Sequence, residues 1–262
     1  MTILYTVLIL GALGVVFGLA LTFADKKFAV PVDEKVAKIR EAVAGANCGA
    51  CGFPGCDGFA AAVAKGEAPI DGCTPGGSKT LHAIAEIMGM QADEAAPKVA
   101  RVLCQGKNDV VKPRYEYVGR VSCALANQYA GGPTMCQYGC MGLGDCSRAC
   151  KFDAIRIVDH LAVIDEEKCT ACGMCVKACP RGVIAMLPKD AVVTVRCQSK
   201  APARDARQAC STACISCKRC EKACQFDAIH VNDGFAKIDP DKCTHCQACV
   251  EVCPDKCITV VS

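Results

Sequence analysis

Tryptophan is absent from this chain of 262 residues, and aromatic residues make up only 5% of it. That leaves little surface on which nucleobases could stack. No run of lysine and arginine makes up for the lack: 30 basic against 27 acidic residues give a net charge of +3, with no basic stripe to track a phosphate backbone. Nucleic acid is excluded as a partner on both grounds. Histidine is scarce too, at 4 residues. No serine–histidine–acid grouping, P-loop or Gly-rich dinucleotide fingerprint is present, so no bond-making catalytic site is expected.

Charge is missing altogether from Ile3 to Ala24. As a helix this stretch is roughly 33 Å long, matching a hydrocarbon core of about 30 Å. A cleaved signal peptide is the rival, but only Met1 and Thr2 precede the stretch, with no basic n-region. Asp25-Lys26-Lys27 follow, and the positive-inside rule places what comes after them in the cytoplasm. The expectation is a single-pass anchor over 1–27 in the cell membrane, with the rest of the chain on the cytoplasmic side. Gly11, Gly14 and Gly18 form a small face that lets another bilayer helix approach.

What the chain does have is cysteine, 25 residues of it. Secreted disulfide scaffolds are short and belong to oxidising compartments; here the count is odd and the spacing too regular for bridges. Zinc sites use two C-x2-C pairs and need no third cysteine two residues on. The runs Cys169-x2-Cys172-x2-Cys175-x3-Cys179-Pro180 and Cys243-x2-Cys246-x2-Cys249-x3-Cys253-Pro254 have the spacing that wraps an iron–sulfur cube. In two-cluster ferredoxins the fourth cysteine of each run ligates the other cluster. Such sites need reduced thiols, which agrees with a cytoplasmic location.

Residues 31–90 read as a small helical 4Fe-4S domain. Val32, Val36, Ile39 and Val43 form an amphipathic stripe. Asp57 and Ser78 are candidate caps for helices ending near Gly66 and Gly89, and Leu81, Ile84, Ala85 and Met88 are core. Between the helices lie Cys48, Cys51, Cys56 and Cys73, four thiolates for one cluster, with zinc as the alternative. Residues 91–117 read as a linker, in which Cys104 stands outside any motif.

An offset of 74 residues aligns Cys123, Cys136, Cys140, Cys146 and Cys150 with Cys197, Cys210, Cys214, Cys220 and Cys224, and the Cys169–Cys179 run with the Cys243–Cys253 run. Phe152-Asp-Ala-Ile155 likewise matches Phe226-Asp-Ala-Ile229, so the chain holds a duplicated module. The fold class is α+β: an N-terminal transmembrane helix, the helical domain, then two two-cluster ferredoxin-like modules at 118–190 and 191–262. Strands are expected at Ile155–Val158 with Leu161–Ile164, and at Ile229–Val231 with Phe235–Ile238. Asn232-Asp233-Gly234 forms the turn of the second pair.

In the second module Cys214, Cys217 and Cys220 with Cys253 hold one cluster, and Cys243, Cys246 and Cys249 with Cys224 the other. In the first, Cys169, Cys172 and Cys175 pair with Cys150. The remaining site has Leu143 where its twin has Cys217. Cys136 is the natural substitute, giving Cys136, Cys140, Cys146 and Cys179, and a three-ligand cluster is the alternative. Five 4Fe-4S clusters result. Cys104, Cys123, Cys197, Cys210 and Cys257 are left over as small buried hydrophobes. His245, inside the Cys243 run, reads as a surface or supporting residue because four cysteines already serve that cluster.

The order of anchor, C-x2-C-x4-C-x16-C domain and ferredoxin modules resembles the B subunit of the Rnf complexes, which are membrane-bound, ion-translocating ferredoxin:NAD+ oxidoreductases. The run from Cys136-Gln-Tyr-Gly-Cys140 to Cys146 and Cys150-Lys-Phe-Asp-Ala-Ile155 looks like the family's variant first site, which favours Cys136 as a ligand. The helical domain also resembles the cluster domain of corrinoid iron–sulfur proteins. The resemblance implies an electron-relay subunit of a translocase, non-catalytic in itself and binding neither NAD nor flavin. Its partners would be soluble ferredoxin and the other membrane and peripheral subunits. A membrane-tethered polyferredoxin serving another redox enzyme, such as a hydrogenase, and a zinc-bound scaffold are the alternatives.

Overall fold

The structure, a computed structural model, describes residues 2–28, 33–92 and 96–261. Helix α1 (Thr2–Phe28) is continuous over 27 residues, about 40 Å. Its described large side chains, Leu10, Val15, Phe17 and Leu21 among them, are exposed. A Cβ at Gly11, Gly14 or Gly18 would meet nothing within 4 Å. Among the described residues no helix is long and apolar enough to cross a membrane. The unbroken stretch of α1 with described side chains, 9–24, is shorter than the roughly 20 residues a span takes. The side chains of Asp25, Lys26 and Lys27, on which the expected orientation rests, lie outside the described residues, as does Val32 of the expected stripe.

The helical unit comprises α2 (Glu34–Ala42), α3 (Gly55–Ala64) and α4 (Gly77–Met88). Asp33 caps α2, its carboxylate accepting the Lys35 N–H at 2.9 Å. The i, i+3, i+4 spacing gathers Ile39, Val43, Phe59, Val63 and Ile84 into one core. Helix α4 ends on left-handed Gly89, as its sequence suggests. The expected caps differ. Helix α3 starts at Gly55 after Pro54, and Asp57 in its first turn accepts from Arg40 Nε at 2.7 Å. Ser78 lies inside the first turn of α4.

The stretch read as a linker carries strand β1 (Lys98–Val102), four of whose five residues are buried. It continues to α5 (Cys123–Gln128) and α6 (Asp145–Ala149). The hairpin β2 (Ile155–Val158) and β3 (Leu161–Ile164) follows, then α7 (Met174–Ala178) and β4 (Ile184–Pro188). Strands β1 and β4 pair antiparallel from Lys98–Pro188 to Val102–Ile184, so the supposed linker closes the first module's sheet. The second module repeats the plan with β5 (Val193–Val195), α8 (Ala203–Ala209) and α9 (Arg219–Ala223). It ends with the hairpin β6 (Ile229–Asn232) and β7 (Phe235–Ile238), α10 (Ala248–Glu251) and β8 (Ile258–Val260). Strand β5 pairs with β8 from Val193–Val260 to Val195–Ile258.

Both hairpins turn on two residues of positive φ, Asp159-His160 and Asp233-Gly234, the geometry that matches strand twist. Cysteines supply much of each module's core. Cys140, Cys146 and Cys175 pack with Val102, Ile155 and Leu161, and Cys214, Cys220 and Cys257 with Val195, Ile229 and Ile258. Arg101, only 7% exposed, pairs with Glu166 through Nε–Oε1 at 2.8 Å and a second bond at 3.1 Å. It also donates to the Lys189 and Ala191 carbonyls, tying β1 to the connection between modules. The modules meet directly: the Lys112 N–H donates to Ala209 O at 2.9 Å and the Ser211 N–H to Val110 O at 3.0 Å.

Candidate metal centres

In the helical unit Cys48, Cys51, Cys56 and Cys73 line one small cavity with Phe59 and Gly72. Asn47 Oδ1 accepts the Cys56 N–H at 2.8 Å, which fixes the loop between the thiols. Gly72 is required there, because a Cβ would sit 2.8 Å from the Phe59 ring.

The four ferredoxin-type loops share one backbone device. Two left-handed residues, two apart, precede the short helix that carries the next cysteine. They are Gly142 and Gly144, Ala171 and Gly173, Ser216 and Lys218, and His245 and Gln247, with φ from 56° to 82°. The three glycines adopt this conformation freely. The other residues bear a Cβ that opposes it, and such strain persists where the surrounding structure holds it. The turn aims backbone N–H groups inward, as in anion-binding nests. The Gly142 N–H reaches Cys140 Sγ at 3.4 Å, and the Ala228 N–H reaches Cys224 Sγ at 3.4 Å. His245 Nδ1 is 3.9 Å from Cys243 Sγ, beside the thiols.

In the second module Cys214, Cys217, Cys220 and Cys253 line one cavity, and Cys224, Cys243, Cys246 and Cys249 line another. Cys257, whose counterpart in the first module is Val183, is buried beside the first cavity with its sulfur 3.5 Å from Cys253 Sγ. Its thiol holds Cys253 well below the ordinary thiol range, at about 6. In the first module Cys150, Cys169 and Cys175 pack in one core; burial, and then the neighbouring Cys169, Cys172 and Cys150, push the Cys175 thiol up to about 11. Thr170 Oγ1, between Cys169 and Cys172, is buried and has no hydrogen-bond partner among the described residues.

The remaining site differs from its expected form. Cys140, Cys146 and Cys179 line a cavity with Cys123, whereas Cys136 lines a different cavity with Cys104, Cys197 and Cys210. Burial pushes Cys146 up to about 12, followed by the effects of Cys140, Cys123 and Cys179. The physical reason is an insertion. Helix α5 brings Cys123 over the loop that has Leu143 in place of a cysteine, and it is held there by Asp145. That carboxylate accepts the Ala124 N–H at 2.9 Å and the Ser122 hydroxyl at 3.2 Å.

Cys123 lines this cavity although a uniform offset of 74 residues pairs it with Cys197 instead. Val102-x-Cys104-Gln105-x-Lys107 repeats as Val195-x-Cys197-Gln198-x-Lys200, displaced by 93 residues (102 to 195) rather than 74 (140 to 214). The change of offset is the mark of the inserted α5 segment. It makes Cys104, not Cys123, the counterpart of Cys197.

All 25 cysteines are free thiols. Among the described residues no three His, Cys, Asp or Glu close on a single-ion site; instead, five cavities are each lined by four or five cysteines. Four thiols around a space, inward N–H groups and a partnerless buried hydroxyl fit a cubane cluster with its hydrogen-bonded sulfurs.

Comparison with known proteins gives the same chemistry. An Fe-S cluster family model matches 44–75, a 4Fe-4S binding domain 162–185 and a 4Fe-4S dicluster domain 213–257. Over 98% of its length the chain is 48% identical to the B subunit of the Na(+)-translocating ferredoxin:NAD(+) oxidoreductase complex of Acetobacterium woodii, covering 78% of that protein. It belongs to the family of B subunits of ion-translocating oxidoreductase complexes. Two further members are 36% identical. One is the B subunit of the ion-translocating oxidoreductase complex of Methanosarcina acetivorans, over 97% of this chain and 96% of that protein. The other is the B subunit of the proton-translocating ferredoxin:NAD(+) oxidoreductase complex of Clostridium ljungdahlii, over 99% and 93%. This member of the family is a mixed helix and strand protein with 4Fe-4S ferredoxin-type domains.

Proposed function

We propose that this protein relays electrons from reduced ferredoxin to the other subunits of an ion-translocating ferredoxin:NAD+ oxidoreductase, as a membrane-anchored and non-catalytic member of that complex. The observation that carries the reading is the set of cavities ringed by four cysteines, in a chain of this family. Five 4Fe-4S clusters are assigned to Cys48, Cys51, Cys56 and Cys73; to Cys123, Cys140, Cys146 and Cys179; to Cys150, Cys169, Cys172 and Cys175; to Cys214, Cys217, Cys220 and Cys253; and to Cys224, Cys243, Cys246 and Cys249. Such clusters supply reversible one-electron chemistry at low potential.

The chain's own residues do the rest. Cys150 and Cys179, like Cys224 and Cys253, each serve the cluster of the opposite loop, fixing the two sites of a module at one separation. The left-handed loops direct N–H groups at the sulfurs, and the Arg181 guanidinium stands beside the thiols of the first module. It donates to Cys136 O at 3.0 Å and Gly139 O at 2.7 Å, offsetting negative charge there. Helix α1, with its exposed apolar side chains and open glycine face, is the anchor, with the cluster-bearing part in the cytoplasm.

Anaerobic purification from membranes in mild detergent tests this reading. Flavin-bearing membrane subunits should co-purify, and the assembly should reduce NAD+ with reduced ferredoxin. Companions that include a hydrogenase and no flavin-bearing membrane subunits would overturn it in favour of a tethered polyferredoxin.

A further inference from the structure

The cavity that takes Cys136 lies on the seam between the two ferredoxin modules. It is about 310 Å³ in volume and is lined by four cysteines that none of the five assigned sites uses: Cys104 and Cys136 from the first module, Cys197 and Cys210 from the second.

The four are related by the repeat. Cys104 stands two residues past the last residue of β1 and Cys197 two past the last residue of β5, the strands that open the two modules. Each accepts the backbone N–H of the first cysteine in its module's cluster loop. Cys140 donates to Cys104 Sγ at 3.3 Å, and Cys214 to Cys197 Sγ at 3.2 Å. Cys136 and Cys210 are the second matched pair, each four residues before that same loop cysteine. One module thus contributes two thiols to the seam, and the other contributes the same two.

Several contacts hold the pairs facing each other. Gln198 Nε2 donates to Tyr138 O at 3.1 Å and Arg181 O at 2.9 Å, while the matching Gln105 Nε2 donates to Lys256 O at 2.9 Å. A Cβ on Gly139 would lie 3.2 Å from Cys104 Sγ and 3.4 Å from Cys136 Sγ, so these two sulfurs flank that glycine. Arg196 lines the cavity, and Arg181 bonds one of its walls. Arg181 bonds the Cys136 carbonyl at 3.0 Å and Arg196 the Cys104 carbonyl at 3.0 Å.

We propose that Cys104, Cys136, Cys197 and Cys210 hold a sixth 4Fe-4S cluster on the seam between the modules. Cysteines that served only as core filler would leave no such space among them. A tetrahedral zinc ion needs its sulfurs about 3.8 Å apart, given Zn–S bonds of ~2.3 Å, and would leave most of the cavity empty. A four-iron cube uses the volume, and the inward N–H groups and two cations suit its net negative charge. The site is one backbone N–H from the Cys140 loop on one side and from the Cys214 loop on the other, so it connects the two modules. The proposal rests on the reading of this chain as a multi-cluster protein.

The test is metal and acid-labile sulfide content of the full chain purified anaerobically, with native mass spectrometry for the number of clusters per molecule. Six clusters give about 24 iron atoms per chain and five give about 20. Cys197→Ser and Cys210→Ser, which replace no ligand of the five assigned sites, should each remove about four iron and four sulfide. The double variant should remove the same four and no more. Wild-type protein with five clusters by mass overturns the seam site and leaves the electron-relay reading standing, and this measurement does not depend on any variant folding. Stoichiometric zinc lost in the variants, or a Cys197–Cys210 disulfide in the wild type, overturns it as well. Protein with no iron at all would overturn the electron-relay reading along with it.

Discussion

Cys123 and Leu143 share one small apolar cluster with Ala126 and Met141, although they come from different segments of the first module. Leu143 occupies the place where the second module has Cys217, and Cys123 lines the cavity of Cys140, Cys146 and Cys179 from an inserted helix, the basis for proposing it as the fourth ligand. Cys123→Ala should therefore lose about four iron atoms per chain. Adding Leu143→Cys to that variant should restore them, since the loop keeps the backbone turn of its three relatives. Iron and sulfide analysis reads both, and an unchanged iron content in Cys123→Ala would remove this cysteine from the ligand set.

Cys257 is buried beside a complete set of four thiols, 3.5 Å from Cys253 Sγ. Its S–H can donate to the sulfur of a ligand, which favours the reduced, more negative cluster. Cys257→Val, which places there the residue of the first module, should keep the full iron content. Losing one hydrogen bond of ~1 kcal/mol should lower the potential of that cluster by about 40 mV, measured by EPR-monitored redox titration.

Arg101 and Glu166 form a mostly buried pair, with side chains 7% and 29% exposed. Removing one partner leaves the other charge uncompensated, at a cost of about 3 kcal/mol. Glu166→Ala should lower the thermal midpoint followed by the clusters' visible absorption, without changing the iron content at low temperature.

Helix α1 exposes a run of large apolar side chains. A chain beginning at Asp33 should stay dissolved without detergent and keep its iron content, whereas the full chain should require detergent. Sedimentation with and without detergent distinguishes the two.

The hairpins, the helical unit's stripe and the left-handed cap at Gly89 could be read from the sequence, because period and turn chemistry act over a few residues. The two groups of four cysteines that line cavities in the second module could be read too, where spacing alone brings the thiols together. The pairing of β1 with β4 could not. It joins residues far apart in the chain, and the composition around Lys98 gives no alternating pattern. The same blind spot hid the positions of Cys123 and Cys104, since an insertion moves the repeat out of register and only the fold puts it back. Helix caps were the weakest expectation, because Asp57 serves Arg40 instead of its own helix end.

On the ligand sets proposed above, Cys150 and Cys179, and likewise Cys224 and Cys253, would tie each cluster's anchorage to the run that holds its neighbour. Oxidative loss of one cube would then leave a free, reactive thiol next to the cluster that survives.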